Sequence, residues 1–162
     1  MGILLPVLCL TIFSCKKENS TSQLNVRMTD APAVYDQVNV DVREIRVNMR
    51  DDSTGWVTLN TNAKVYDLLS LKNGVDTLIA SGTVTTGSVK EIRFVLGSNN
   101  SIVVAGITYP LVIPSGEESG LKLKVDKKIN DPVETLLVDF NADLSVRFET
   151  GTYKLSPVLS IK

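Results

Sequence analysis

The stretch that decides the fold is Leu136–Phe148, which reads LLVDFNADLSVRF. Its even-numbered positions are all apolar, and from Asp139 onward its odd-numbered positions are all polar or charged. A period of two is typical of a β-strand with one buried face. The run therefore predicts either one long bent strand or two strands with a break near Asn141.

A second alternating stretch, Val38–Val47 (VNVDVREIRV), lies near the start of the chain. Its apolar positions are even-numbered up to Val42 and odd-numbered from Ile45 onward. A regular strand would then expose one of the two apolar sets. The change predicts a β-bulge near Arg43-Glu44, or a strand that bends from one sheet to the other.

The rest of the chain shows about ten short strands with turn residues between them, and only one short helical turn, Leu68–Leu71, capped by Asp67. Many short strands with little helix are typical of a two-layer β fold. We predict an all-β fold, an antiparallel β-sandwich with little helix. The clearest of the other strands are Leu24–Met28, Trp56–Leu59, Glu91–Gly97, the hairpin at 102–113, and Leu121–Val125.

The N-terminal residues 2–13 are almost wholly apolar, and charge begins abruptly at Lys16. This run is shorter than the roughly 20 residues that span a bilayer, and its length suits a secretory signal. Ile12-Phe13-Ser14-Cys15 resembles a lipobox, in which the cysteine thiol accepts lipid. Phe13 is bulkier than usual there, and no Lys or Arg precedes the run.

We therefore predict three segments. Residues 1–15 are a lipoprotein signal peptide ending at lipidated Cys15, residues 16–23 are a flexible tether, and residues 24–162 are a single β-sandwich domain. Lipid such as palmitate on Cys15 would anchor the protein to the outer membrane, on the periplasmic face or at the cell surface. The alternatives are a cleaved signal with an incidental cysteine, or a buried N-terminal strand.

Composition narrows the chemistry of the domain. The chain has no His, and its two cysteines are Cys9 and Cys15. A disulfide within the domain is excluded, an ordinary zinc site is disfavoured, and triads that use His are impossible. The net charge of −1 and the 6% aromatic content argue against nucleic-acid binding. We predict no cofactor and no catalytic residues.

Asp139-x-Asn141-x-Asp143 opens like a calcium-binding loop. Such a loop needs Gly at its sixth position and Glu at its twelfth, and this chain has Leu144 and Thr150 there. The pattern favours a solvated strand face. Calcium held with help from another loop is the alternative.

Two pairs of adjacent acids, Glu117-Glu118 and Asp51-Asp52, are the candidates for a glycosidase acid and base. Adjacent acids in turns are usually only solvated, so we favour a solvated role over a catalytic role for both pairs. Asp52-Ser53-Thr54 and Asp76-Thr77-Leu78 resemble acceptor sites for O-linked glycans in secreted proteins, and the first lies in a predicted exposed turn.

Five aromatic residues are candidates for a sugar-stacking platform. The strand positions of Trp56 and Tyr109 suit a hydrophobic core, which favours a core role for both. The five residues are Tyr35, Trp56, Tyr66, Tyr109 and Tyr153.

Taken in order, several segments together resemble a family of bacterial lipoprotein domains, domain of unknown function 4382. The resemblance covers most of residues 24–162. It implies an extracytoplasmic β-sandwich of immunoglobulin-like or transthyretin-like topology, and it implies no activity. The matching segments are TDAP (29–32), VNVDVREIRV (38–47), GW (55–56), YDLLSLKNG (66–74), KEIRFVLG (90–97), YPL (109–111), SGLKL (119–123) and LLVDFNA (136–142).

The functional expectation is a non-enzymatic module that binds or presents a glycan or an envelope protein at the outer membrane. The predicted display loops are 29–35, 51–55 and 115–120, because loops on a rigid sandwich can carry binding residues. The alternatives are a structural accessory of an envelope assembly and a carboxylate-based glycan hydrolase.

Overall fold

The computed structural model describes residues 20–114 and 120–162, which form two β-sheets packed against each other. Helical structure in these ranges is limited to a 3-10 turn, Leu68–Leu71, and one α-helical turn, α1 (Ala142–Ser145). The predicted all-β sandwich with little helix is therefore confirmed. No helix among the described residues is long and apolar enough to cross a bilayer.

The smaller sheet has five strands in the order β14-β11-β1-β6-β4. These are β1 (Thr21–Thr29), β4 (Asn60–Thr61), β6 (Thr77–Thr85), β11 (Val133–Asn141) and β14 (Val158–Ile161).

The larger sheet has nine strands. Seven follow the order β10-β7-β2-β8-β9-β13-β12, and β3 and β5 both pair with β2. Its strands are β2 (Gln37–Asn48), β3 (Trp56–Thr58), β5 (Lys64–Asp67), β7 (Gly87–Leu96), β8 (Ser101–Val104), β9 (Ile107–Val112), β10 (Leu121–Ile129), β12 (Val146–Glu149) and β13 (Thr152–Leu155).

Both sheets are mixed rather than purely antiparallel. β1 runs parallel to β11 in the smaller sheet, with Val26 opposite Leu136, and β9 runs parallel to β13 in the larger one. The alternating pattern of a strand shows which of its faces is buried. It does not show whether the neighbouring strand runs parallel or antiparallel to it. The antiparallel prediction is corrected at these two pairs.

The core lies between the sheets and contains the alternating apolar residues of both. Phe94 of β7 and Phe140 of β11 meet edge to face, with ring centroids 6.4 Å apart and neither residue exposed. Aromatic pairs of this geometry contribute about 0.5–1.5 kcal/mol beyond the area that they bury. This contact ties the two sheets together at the centre of the sandwich.

The predicted bulge in the second strand is confirmed. The pairing of β2 with β7 shifts its register between Val42 and Glu44. Val42 and Ile45 are both completely buried, while Arg43 is exposed at the shift. One extra residue at this point keeps both apolar sets on the core face.

The predicted helical turn after β5 is also confirmed. The Asp67 carboxylate accepts a hydrogen bond of 3.1 Å from the backbone N–H of Leu69, as an N-cap should. Asn73 and Gly74 then adopt positive φ angles of 61° and 83°, which ends the turn.

The alternating run at 136–148 breaks at Asn141, as one of the two predicted arrangements required. The Asn141 side chain caps α1 by accepting a 3.0 Å hydrogen bond from the Leu144 N–H. The helical turn removes Leu144 from the strand alternation, and both Leu144 and Phe148 are exposed. The uniform apolar face read from the sequence is therefore wrong at these two residues.

The first strand begins at Thr21, earlier than the predicted Leu24, and Ser22 is already buried. The predicted tether at 16–23 therefore overlaps β1, and the sandwich begins before residue 24. Cys15 and the rest of residues 1–19 lie outside the described residues. The signal peptide and the lipidation of Cys15 stay predictions.

Candidate functional site

An aromatic surface lies on three adjacent strands of the larger sheet. The Tyr153 ring of β13 lies between Tyr109 of β9, at a centroid distance of 5.2 Å, and Phe148 of β12, at 4.8 Å. Ile107 shares the strand face of Tyr109. We call Ile107, Tyr109, Phe148 and Tyr153 the aromatic surface.

This surface continues the core face of the sheet. Ile102, which is completely buried, lies opposite Tyr109, and buried Leu111 lies beside Tyr153. Towards the outer strands the same face reaches solvent: Ile107 is 56% exposed and Phe148 is 63% exposed. The apolar interior therefore emerges at the β9-β13-β12 end of the sheet.

The loop between β1 and β2 contributes Tyr35 to the same neighbourhood. Tyr35 packs against the core, and burial is the main cause that raises its pKa above the usual tyrosine value. The negative charge of Asp143 and the nearby Tyr153 raise this pKa further. The next residue, Asp36, accepts a 2.9 Å hydrogen bond from the Gly106 N–H in the β8–β9 turn, so the predicted display loop at 29–35 supplies one aromatic side chain near β9.

The other two candidate platform residues lie elsewhere. Trp56 is half-buried on the outer face of the larger sheet, with the guanidinium of Arg93 4.5 Å from the centre of the indole ring. Tyr66 is buried and donates a 2.6 Å hydrogen bond to the Asn62 carbonyl. The five-residue platform does not form. The core role expected for Trp56 is wrong, because Val57, not Trp56, faces the interior.

A buried polar group, Asp41, organises the junction between β7 and β8. Its carboxylate accepts hydrogen bonds from Arg43 at 2.8 Å and from the Asn99 N–H at 3.2 Å. The Asn100 side chain accepts from the Asp41 N–H at 2.8 Å and donates to the Gly97 carbonyl at 2.7 Å. Asp41 has no exposed surface, so these contacts hold the junction in one conformation.

A cleft of about 390 Å³ lies beside this junction, between residues 96–100 and 110–113. It is lined mainly by apolar side chains, including Leu96, Leu111 and Ile113. Residues 115–119, which follow in the chain, lie outside the described residues, and we assign no ligand to the cleft.

Two buried carboxyl groups lie where β1 and β11 end. Asp30 Oδ1 accepts a 2.8 Å hydrogen bond from the Ala142 N–H, and Asp139 Oδ2 lies 2.9 Å from Lys162 Nζ. Burial raises the pKa of Asp30 to about 6, and the negative charges of Asp139 and Asp67 add to the effect. Each carboxyl keeps one buried oxygen without a hydrogen-bond partner among the described residues.

The three residues of the calcium-like pattern take different roles. Asp139 is buried in β11, Asn141 caps α1, and Asp143 is exposed in the first turn of α1. The expected solvated strand face is therefore wrong, since α1 interrupts the strand. Among residues 20–114 and 120–162, no three His, Cys, Asp or Glu side chains lie close enough together to hold a metal ion.

The structure describes one of the two acidic pairs, Asp51-Asp52, and both of the predicted glycan acceptor sites. Asp51 and Asp52 are exposed in the β2–β3 turn, where Asp52 accepts a 2.7 Å hydrogen bond from the Thr54 N–H. Asp76 bonds Arg27, and Thr77 lies in β6. Glu117-Glu118, within the predicted display loop at 115–120, lies outside the described residues.

Phe148 is the member of the aromatic surface that the sequence did not indicate. Its even position in the run 136–148 suggested a core residue. The signal that could have identified it is the Thr150-Gly151 pair that follows. The glycine of this pair is a turn signal between two strand-like runs, and the hairpin that it closes places Phe148 opposite Tyr153.

Comparison with known proteins places the chain in a family but offers no structure to compare with its architecture. No curated protein and no solved structure matches the chain. Its immunoglobulin-like or transthyretin-like topology therefore stays a prediction. Residues 21–157 match the family described as Domain of unknown function (DUF4382), a range that contains the aromatic surface and every strand except β14. The chain belongs to this family of domains of unknown function.

Proposed function

We propose that the chain is a lipid-anchored extracytoplasmic module that binds a partner through the aromatic surface and catalyses no reaction. Cys15, within its lipobox-like tetrapeptide, supplies the anchor, and the outer membrane is its location. The observation that carries the proposal is the exposure of Ile107 and Phe148 on the core face of a sheet. Apolar residues grouped at a surface mark sites of interaction.

The direction of β1 supports an outward-facing role for this surface. β1 runs from Thr21 to Thr29, a distance of about 25–30 Å at the usual rise per residue. Asp30, at its far end, bonds Ala142 of α1, which leads directly into β12. A lipid at Cys15 would precede the opposite end of β1. The aromatic surface would therefore face away from the membrane.

The geometry of the rings favours a protein partner over a sugar. The ring planes of Tyr109 and Tyr153 are tilted by 49°, and those of Phe148 and Tyr153 by 51°. Rings tilted in this way give no flat platform for a sugar to stack on. Combined with the aliphatic Ile107, they suit the apolar side chains of an envelope protein.

The absence of imidazole from the sequence supports a non-enzymatic role, because the commonest general acid–base residue is missing. A carboxylate-based hydrolase would need two acids placed across a sugar. Asp51 and Asp52 are adjacent in an exposed turn, an arrangement that does not resemble two such opposed groups.

The test is a binding screen of the purified protein against envelope proteins and glycans, with hydrolysis of the same glycans measured in parallel. We expect an envelope protein to be retained by the wild type and by Val133→Ser, which removes an exposed apolar residue at the start of β11. Ile107→Ser should lose that partner, since Ile107 lies in the aromatic surface.

Other outcomes would replace the proposal. Equal binding by Ile107→Ser and Val133→Ser would remove the aromatic surface from the mechanism. Glycan turnover that disappears in Glu117→Gln or Glu118→Gln would make the protein a hydrolase. Recovery of the protein only in a stoichiometric envelope complex, unaffected by Ile107→Ser, would make it a structural accessory.

A further inference from the structure

β12 is an edge strand of the larger sheet. Its four residues, Val146–Glu149, pair with β13, and no other described strand pairs with it. The side chains of Arg147, Phe148 and Glu149 are all exposed. An edge with unpaired backbone groups is a template for an added strand.

The hairpin that contains β12 determines which backbone groups point outward. Thr150 and Gly151 form its two-residue turn with φ angles of 48° and 79°, as in a type I′ turn. In such a hairpin the flanking residues, Glu149 and Thr152, exchange both backbone hydrogen bonds. Residues then alternate, so the N–H and C=O of Phe148 point away from β13 toward the open edge.

We propose that a second copy of this chain adds its β12 to this edge, antiparallel, about a two-fold axis at Phe148. Phe148 would then exchange both backbone hydrogen bonds with Phe148 of the second copy. A two-fold axis requires a self-complementary surface, in which each contact occurs twice. The sequence of β12 meets this requirement.

The charges on either side of Phe148 show the complementarity. In the two-fold arrangement Arg147 lies directly opposite Glu149 of the second copy, and Glu149 lies opposite Arg147 of that copy. Opposite charges that face each other across an antiparallel pair stabilise it, and like charges destabilise it. Glu149 already bonds Lys154 within its own hairpin at 2.8 Å and, being half-exposed, retains acceptor capacity for a second cation.

The aromatic surface gives the pairing its apolar contribution. Side chains of directly opposed residues lie on the same sheet face, so the two Phe148 rings would meet on the face that carries Tyr153. The Tyr109–Tyr153–Phe148 series of one copy would continue into that of the other. Phe148, 63% exposed in the single chain, would lose much of that exposure.

Another edge of the same sheet, formed by β10, lacks this complementarity. The exposed face of β10 carries Lys122 and Lys124. Lysines on an edge strand oppose pairing with another copy. The β10 edge is therefore protected by charge, whereas the β12 edge is complementary to a second copy of itself.

Charge exchange tests the proposed pairing. Arg147→Glu places acids opposite each other in the homodimer, and Glu149→Arg places arginines opposite each other. The double variant restores opposite charges, and so does an equimolar mixture of the two single variants. Sedimentation velocity of the full chain in mild detergent, over a range of protein concentrations, measures the dimer in each case.

We expect the wild type to form dimers and each single variant to associate at least about tenfold more weakly. Dimers should return in the double variant and in the mixture. Dimers in the mixture would also show that the two single variants are folded. Lys122→Glu in β10 should leave the association unchanged.

Two results would overturn the proposal. One is a wild type that stays monomeric up to about 1 mM, where even a weak interface with a free energy near −4 kcal/mol is half-occupied. The other is association that survives both single substitutions, as sharing of a detergent micelle would. This pairing goes beyond the proposed partner binding, which depends on Ile107 rather than on the charges of β12.

Discussion

The backbone N–H of Ala142 donates a hydrogen bond of 2.8 Å to Oδ1 of Asp30, and this contact joins the end of β1 to the start of α1. Asp30 is only 3% exposed, and the residue brought to it lies 112 positions away in the sequence. Burial raises the pKa of the same carboxyl to about 6, so the contact between β1 and α1 is also sensitive to pH.

We expect the stability that protonated Asp30 contributes to be complete below pH 4 and to be lost as the pH rises through 6. The reason is that its pKa rises from 3.8 in the unfolded chain to about 6 in the folded chain, chiefly because burial disfavours the charged form. The linked loss in the free energy of unfolding is about 3 kcal/mol. Asp30→Asn should remove this loss, since an amide oxygen can still accept from Ala142.

The measurement is urea unfolding of the wild type and Asp30→Asn between pH 4 and pH 8. The difference in unfolding free energy should favour Asp30→Asn increasingly as the pH rises. Asp143→Asn, in the exposed part of α1, is a control for removing a negative charge at the surface. A difference between Asp30→Asn and the wild type that does not vary with pH would contradict the prediction.

The second prediction concerns the contacts of Asn100. Asn100→Ala should lower the free energy of unfolding by about 1–3 kcal/mol, because it leaves the buried N–H of Asp41 without its acceptor. Asn99→Ala is a matched control, since the Asn99 side chain is exposed. Thermal unfolding of the two variants should separate them, and equal stability would show that the Asp41 junction tolerates the loss.

The sequence predicted local features and missed those that depend on distant pairing. The bulge at Arg43-Glu44 was predictable because only an extra residue keeps Val42 and Ile45 on one face. The cap at Asp67 was predictable because its hydrogen bond spans two residues. The parallel pairing of β1 with β11 was not, because it joins segments more than 100 residues apart in the sequence.

The aromatic surface was missed for the same reason. Tyr109 and Tyr153 were recognised as aromatic candidates, but their contact depends on the parallel pairing of β9 with β13. Phe148 was assigned to the core by its even position, whereas the α1 turn and the edge position of β12 leave it exposed. An alternating pattern shows which residues share a face and does not show whether another layer covers that face.

The third prediction is that Gly97→Ala destabilises the domain by about 1–3 kcal/mol. A Cβ atom at position 97 would lie 2.2 Å from Asp41 Oδ2 and 2.6 Å from Arg43 Nε, so the Asp41–Arg43 ion pair would have to move. Gly82→Ala in β6 makes the same change where the nearest atom is the end of the flexible Leu59 side chain, 3.0 Å away. Its effect should stay within about 1 kcal/mol.

Chemical denaturation of both glycine variants checks this expectation. A stability of Gly97→Ala equal to that of Gly82→Ala would mean that Asp41 and Arg43 rearrange at little cost. The combined variant Gly97→Ala with Asp41→Ala separates the causes. If the clash with the carboxylate is responsible, Gly97→Ala should cost less in the Asp41→Ala background than in the wild type.

The fourth prediction is lipidation at Cys15. The thiol is the group that would accept the lipid, so Cys15→Ser should abolish incorporation of labelled palmitate and shift the protein from the detergent phase to the aqueous phase. Cys9→Ser is the matched control, because Cys9 precedes the lipobox-like tetrapeptide and should be removed with the signal. Labelling and phase partitioning of the three proteins can be measured in one expression host. Two results would contradict this prediction: palmitate that remains on Cys15→Ser, or a detergent-phase fraction that the substitution does not change. Either result would remove the anchor at Cys15, and the outward orientation proposed for the aromatic surface depends on that anchor.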